Sequence, residues 1–158
     1  MVATEADNVR EELIVRLDSA VSEVFEMVLD RSCAPLDAEV DIDERITARI
    51  RFSGSITGEC LVYASQTVAQ IAAEALLGTV SEPCDPMVDD AIGELCNMIA
   101  GGWKSKLESS RAVSLISVPA VTRDAALGLD ARFGTTYSRC YSFQGNVFGV
   151  SLAFRSLP

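Results

Sequence analysis

The stretch from residue 86 to residue 107, PMVDDAIGELCNMIAGGWKSKL, constrains the fold of this chain more than any other stretch. Its apolar residues recur at steps of three and four, which places them on one side of a helix with 3.6 residues per turn. They are Val88, Ala91, Ile92, Leu95, Met98, Ile99, Trp103 and Leu107. Asp85 suits an N-cap and Pro86 suits the first helical position. The stretch therefore predicts a helix that starts at residue 86 and packs its apolar side on a core.

The opposite side of this helix is a line of polar and bare positions. Six residues recur there at alternating steps of four and three, and we call them the polar ridge: Asp90, Glu94, Asn97, Gly101, Lys104 and Glu108. The carboxylate of Glu94 and the carboxamide of Asn97 lie one turn apart, so both side chains can reach the same point in space. The alternative interpretation is a solvated helix face, which only needs to be polar.

Two glycines in the interior of this helix need an explanation, because each costs roughly 1 kcal/mol relative to alanine. One interpretation is that Gly102 permits close packing and that Gly101 is a local weak point. The other is that Gly101 lets a partner approach beside Asn97.

The chain before residue 86 predicts a helix, a β-hairpin and a second helix. Residues 7–29 carry apolar residues at helical spacing, with Asp7 or Asn8 as the cap. Residues 33–43 are expected to form a loop that can include a short strand. Residues 46–52 alternate as a half-buried strand, and residues 56–64 follow as a more central strand with two apolar faces. On the first of these strands, one face carries Ile46, Ala48, Ile50 and Phe52, and the other carries Thr47, Arg49 and Arg51.

The second helix is predicted over residues 66–77. Ser65 can cap it and Gly78 can end it. Its expected buried face consists of Val68, Ile71, Ala72, Ala75 and Leu76.

The chain after residue 107 predicts three further strands. Residues 112–118 are expected to form a strand that ends at Pro119, followed by a loop over residues 122–130. Residues 133–143 and 148–154 alternate as two strands, with Gly145 and Asn146 at the turn between them. Together the elements predict an α/β (α+β) fold in one domain over residues 1–158, with helices on one face of a mostly antiparallel sheet. Thr47, Arg49 and Arg51 are expected to face water or another subunit.

The composition excludes several classes of function. Because the chain has no histidine, it can hold neither a Ser-His or Cys-His nucleophile pair nor a histidine-bound zinc ion. Its five cysteines form no CxxC pair, which predicts reduced, mostly buried thiols and no metal site. Cys96 is adjacent to Asn97, but its core-leaning position predicts packing and not nucleophilic chemistry. No glycine-rich nucleotide-binding loop is present.

The charge argues against two kinds of partner. Twenty-three acidic and thirteen basic residues give a net charge of −10, which disfavours nucleic acid and anionic membranes. The acidic N-terminal sequence lacks the cationic and apolar regions of a signal peptide, and no apolar run is long enough to span a bilayer. We therefore expect a cytoplasmic protein.

The segment DAIGELCNMIAG, with Glu94 four residues after Asp90, Asn97 three residues later and Pro119 further on, resembles the motif of the CheC/CheX family of chemotaxis phosphatases. The single copy of the motif is most similar to CheX. The spacing between Asn97 and Pro119 is about one residue shorter than is usual in the family. A second ExxN, at Glu5 and Asn8, lacks both the preceding residue and the later proline and is coincidental.

The resemblance implies a phosphatase that acts on the aspartyl phosphate of a CheY-like response regulator. In this family the acid engages the regulator's lysine and the amide orients a water molecule for in-line attack, which assigns these roles to Glu94 and Asn97. Asp90, Gly101, Lys104 and Pro119 are the expected supporting or partner-binding residues. No cofactor is expected in this chain, because the regulator supplies Mg²⁺, and the family tendency implies a homodimer formed through sheet edges. The alternative is a non-catalytic binding or scaffold module in two-component signalling that has kept the fold and the partner.

Overall fold

The computed structural model describes residues 2, 4–78, 82, 86–107, 113–123 and 131–156, which form three helices and one seven-stranded sheet. The helices are α1 (Glu5–Leu29), α2 (Gln66–Leu77) and α3 (Pro86–Lys106). The strands are β1 (Ala34–Pro35), β2 (Ile46–Gly54), β3 (Ile56–Ala64), β4 (Val113–Ile116), β5 (Ala120–Thr122), β6 (Thr135–Phe143) and β7 (Asn146–Ser156). Their order is β1-β6-β7-β3-β2-β4, with β5 also paired to β2, and all these pairings are antiparallel. No helix in this part of the chain is long and apolar enough to cross a bilayer.

The helix ends follow local capping chemistry. Ser65 accepts a hydrogen bond from the Val68 N–H, and Gly78 ends α2 in the left-handed region, as predicted. The predicted cap of α1 is wrong, because Thr4 is the N-cap and Asp7 is its capping-box partner. Asp7 satisfies the Thr4 N–H and so lies inside the helix. The predicted cap of α3, Asp85, lies outside the described residues.

The core lies between the helices and one face of the sheet. Ile46, Ala48, Ile50 and Phe52 of β2 and Phe148, Val150, Leu152 and Phe154 of β7 are all buried, as their alternation predicts. From α1, Phe25 stacks on Phe148 with ring centroids 4.3 Å apart. From α3, Trp103 packs on Phe52 with ring centroids 4.9 Å apart. The indole N–H of Trp103 donates a hydrogen bond to the Leu13 carbonyl at 3.1 Å. The aromatic side chains therefore join α1, α3 and the sheet into one core.

The outer face of the sheet is more covered than predicted. Thr47 is 0% exposed, so the expectation that it faces water or another subunit is wrong. The reason is that β5 pairs with β2, which places Thr47 between Tyr63 and Thr122 in the interior of the sheet. Arg49 is half-buried and Arg51 is exposed.

Two boundaries and the buried face of α2 also differ from the sequence-based prediction. The β6–β7 turn consists of Gln144 and Gly145, both with positive φ, and Asn146 already pairs with Phe143. The 3₁₀ turn at Ala131–Phe133 replaces the predicted start of β6. On α2, Ala75 is exposed, whereas Ala69 and Ala73 are buried.

The strand predicted over residues 112–118 ends early, because β4 stops at Ile116. A separate strand that was not predicted, β5, follows Pro119. Proline has no N–H to donate to the ladder, which explains the interruption.

Candidate functional site

The polar ridge lies on the solvent side of α3, as its spacing predicts. At 100° per residue, the positions from Asp90 to Lys104 fall within an arc of about 80°. Asp90, Glu94 and Asn97 are exposed, and Gly101 and Lys104 are half-buried. Glu108 lies outside the described residues.

Glu94 and Asn97 are unengaged within the described part of the chain, where no hydrogen bond or ion pair reaches either side chain. Their backbone is nevertheless firmly held, because Leu95, Cys96 and Ile99 on the other side of the same turns are fully buried. The helix therefore presents an acid and an amide on a rigid support, with both side chains available to an external group.

Cys96 is a packing residue and not a nucleophile. Its thiol is buried and donates long hydrogen bonds of 3.7 Å to the carbonyl groups of Ala48 and Cys60. The hydrogen bond with the Cys60 side chain, followed by burial, raises the pKa of the Cys96 thiol well above its usual value. A thiol in this state supplies almost no thiolate at neutral pH.

Pro119 lies against α3 at Gly93, one residue before Glu94. A Cβ atom on Gly93 would lie 3.5 Å from the ring of Pro119 and 3.2 Å from Cγ2 of Val121. A methyl group at this position would press on Val121 of β5 and would make an ordinary contact with Pro119. Gly93 was not among the site residues predicted from the sequence, although a glycine inside a helical pattern is a signal of close approach.

Arg123 ties the end of β5 to both neighbouring helices. Its guanidinium donates to Asp89 of α3 at 2.7 Å and to Gln66 of α2 at 2.8 Å. The ion pair is partly exposed and contributes little energy alone. Its effect is geometric, since together with the Pro119–Gly93 contact it fixes β5 beside the ridge. Nothing in the sequence pattern singled out Arg123.

The two glycines of α3 differ in their surroundings. A Cβ on Gly101 would meet no atom within 4 Å, so the ridge is open there. A Cβ on Gly102 would lie 3.5 Å from the Ala20 Cβ, which is an ordinary contact. Gly102 therefore lies close to α1, and this packing does not require a glycine because a methyl group fits.

The Lys104 side chain, near the end of the polar ridge, is also available to an external group. Lys106 forms an ion pair with Glu23 at 2.7 Å, whereas Lys104 has no such partner among the described residues. Within the same part of the chain no group of three acidic or cysteine side chains could hold a metal ion, and four cysteines are free thiols. The arrangement can bind and orient external groups, and it lacks an activated nucleophile.

These features define a single-sheet α+β domain with an acid–amide site on an exposed helix face. The model of the family described as "Chemotaxis phosphatase CheX" matches residues 46–141 of this sequence. The chain belongs to this CheX family.

Solved structures share the fold at low sequence identity. The CheX of Vibrio vulnificus is 18% identical, with a TM-score of 0.79, over 91% of this chain and 97% of that one. A chain of the CheX–CheY–BeF₃–Mg²⁺ complex from Borrelia burgdorferi is 18% identical, with a TM-score of 0.71, over 91% and 98%. Thermotoga maritima FliY is 13% identical, with a TM-score of 0.65, over 99% and 92%. No curated protein matches the sequence. These structural matches confirm the fold predicted from the sequence. Proteins named CheX and a protein named FliY share this fold.

Proposed function

We propose that this chain is a phosphatase that hydrolyses the aspartyl phosphate of a CheY-like response regulator. The observation that carries the proposal is the pair of exposed, unengaged side chains of Glu94 and Asn97, one turn apart on a firmly packed helix. Membership of a family described as chemotaxis phosphatases supports the reaction class. The solved complex of a fold relative with CheY supports the class of partner.

The reaction requires little from the chain beyond positioning. An aspartyl phosphate is an activated acyl phosphate, and the receiver domain would supply Mg²⁺ to neutralise charge on the phosphoryl oxygens. The Asn97 amide would hold one water molecule in line with the phosphorus–oxygen bond to be broken. Holding a reactant in the correct orientation can remove a large part of the activation free energy in such reactions.

Glu94 has the separate task of docking. Its carboxylate would form an ion pair with the lysine of the receiver's active site, one helical turn from the amide. The three-residue step from Glu94 to Asn97 spans about 4.5 Å along the helix axis, so the docked lysine would lie close to the water site. Because the other side of α3 is packed into the core, the helix fixes the distance between the docking residue Glu94 and the catalytic residue Asn97.

The two roles separate in a phosphate-release assay over a range of receiver concentrations, with purified receiver domains of the organism that encodes the chain. Asn97→Ala should bind normally and lower kcat by about a hundredfold or more, as expected for the loss of one group that acts in the transition state. Glu94→Ala should raise KM as well, and the KM defect should shrink at high salt because screening weakens the wild-type ion pair.

The coincidental ExxN at the start of α1 supplies matched controls. Glu5 and Asn8 are both exposed and have the same spacing, so Glu5→Ala and Asn8→Ala remove the same chemical groups from the first turn of another helix. Both should retain wild-type kinetics. Near wild-type turnover by a folded Asn97→Ala protein would eliminate the catalytic assignment. Tight receiver binding without turnover by the wild type would favour the scaffold alternative.

A further inference from the structure

The connection between β4 and β5 contains a β-bulge that the sequence did not reveal. Ile116 pairs with Phe52 and the Ser117 N–H donates to the Arg51 carbonyl, whereas Ala120 pairs with Arg49. Two residues, Val118 and Pro119, therefore lie opposite the single residue between Arg49 and Arg51. A bulge of this kind redirects a side chain out of the sheet pattern.

The bulge exposes an apolar side chain. Val118 is 87% exposed, and Leu115 of β4, at 70%, is the next most exposed of the apolar side chains described in the sheet region. Single exposed apolar residues are common on protein surfaces and need no function by themselves. What distinguishes Val118 is how firmly it is held and what lies beside it.

The backbone on both sides of Val118 is fixed. The Ser117 hydroxyl accepts a hydrogen bond from the Arg51 N–H at 2.9 Å and donates one to the Val118 carbonyl at 3.1 Å. On the other side, the Pro119 ring lies against α3 at Gly93. Proline also restricts the backbone of the residue before it. The backbone of Val118 is thus held in one conformation, and little backbone entropy would be lost on contact with a partner.

The same contact sets the position of Val118 relative to the ridge. Gly93 precedes Asn97 by four residues, so the two occupy one strip of the α3 surface, a turn apart. Pro119 rests against α3 at Gly93, and Val118 directly precedes Pro119 in the chain. A protein that brings a phosphorylated side chain to Asn97 would also approach the surface at Val118.

We propose that Val118 is an apolar docking contact for the receiver domain that delivers the phosphoryl group to Asn97, and this inference rests on the proposed function. The Val118 contact would be apolar and insensitive to salt, whereas the Glu94 contact would be ionic and weakened by salt. Val118 would act in binding and would take no part in the chemical step.

The test is the kinetics of Val118→Ser against the receiver domain that the wild type dephosphorylates fastest. KM should rise by about fivefold to tenfold, as expected for the loss of one buried apolar contact, with kcat within about twofold of the wild type. This KM defect should persist at high salt, unlike that of Glu94→Ala. Val118→Ile, which keeps the apolar surface, should restore the wild-type KM. Val15→Ser is the matched control, because Val15 is a 58% exposed valine on α1, and it should leave KM unchanged.

Two results would overturn the docking contact and leave the proposed function intact. The first is a wild-type KM for Val118→Ser, and the second is a loss of kcat at constant KM, which would indicate positioning of Asn97. If the wild type turns over no receiver domain, the proposed function fails, and the dissociation constant of a beryllofluoride-activated, Mg²⁺-loaded receiver decides the contact. Weaker binding by Val118→Ser supports the contact, whereas equal binding, or no binding by the wild type, refutes it.

Discussion

Adding a methyl group at Gly101 should stabilise the fold and impair function. Its Cβ would meet no atom within 4 Å, and the Ser105 hydroxyl bonds only the Gly101 carbonyl, which alanine keeps. Gly101→Ala should therefore gain the difference in helix propensity, about 0.5 to 1 kcal/mol. For a domain of this size, 1 kcal/mol corresponds to a rise in Tm of about 2–4 °C. If Gly101 gives a partner access to Asn97, the same methyl group should lower kcat/KM by about tenfold, because a small displacement at the reacting centre is costly.

Gly102→Ala separates the two effects. Its methyl group would make an ordinary contact with Ala20 on the core side, so it should raise the free energy of unfolding by a similar amount and leave kcat/KM unchanged. The measurements are urea denaturation and phosphate release for both variants. A destabilised Gly101→Ala protein would refute the open geometry of the ridge. A stabilised Gly101→Ala protein with wild-type kcat/KM would show that Gly101 is only a weak point in the helix.

Three further predictions concern stability and metal content. Trp103→Ala should cost about 3 to 5 kcal/mol, because the side chain is 1% exposed, packs on Phe52 and donates to the Leu13 carbonyl; an unchanged urea midpoint would contradict its assigned place in the core. Burial, and then the charge of Glu26, raise the pKa of Cys33 from 9.0 to about 11, so its contribution to stability is complete below pH 9.0 and is lost as the pH rises through about 11. Cys33→Ala should therefore lose less stability than the wild type between these pH values in urea titrations, and equal losses would refute the shift. We expect no stoichiometric metal in the chain after exhaustive chelation, and one equivalent found by elemental analysis would contradict this.

The local elements could be predicted where neighbouring residues determine them. The β2–β3 hairpin and α2 follow from alternation, from Ser65 and from Gly78, and the structure confirms their bounds closely. The phase of α3 is also confirmed, because a core side and a ridge at helical spacing leave only one orientation. The ridge could therefore be located from the sequence alone.

The surroundings of the ridge could not be predicted, because they depend on pairings between distant segments. The burial of Thr47 and the bulge at Val118 and Pro119 both follow from where β5 joins β2, which no local pattern specifies. The hydrogen bonds from Arg123 to Asp89 and Gln66 likewise join three elements. The homodimer and the cytoplasmic location stay predictions.

The central claim is that this chain turns over an aspartyl phosphate, and the most direct test is phosphate release from a labelled receiver domain at substoichiometric amounts of the chain. The receiver is phosphorylated with acetyl phosphate, and the excess acetyl phosphate is removed. Phosphate release is then followed in the presence of Mg²⁺ for the receiver alone, with the wild type and with Asn97→Ala. The wild type should release many equivalents of phosphate per chain, whereas Asn97→Ala should leave the rate near that of the receiver alone. If the wild type accelerates phosphate loss from no receiver domain of the organism, this chain is not an aspartyl-phosphate phosphatase.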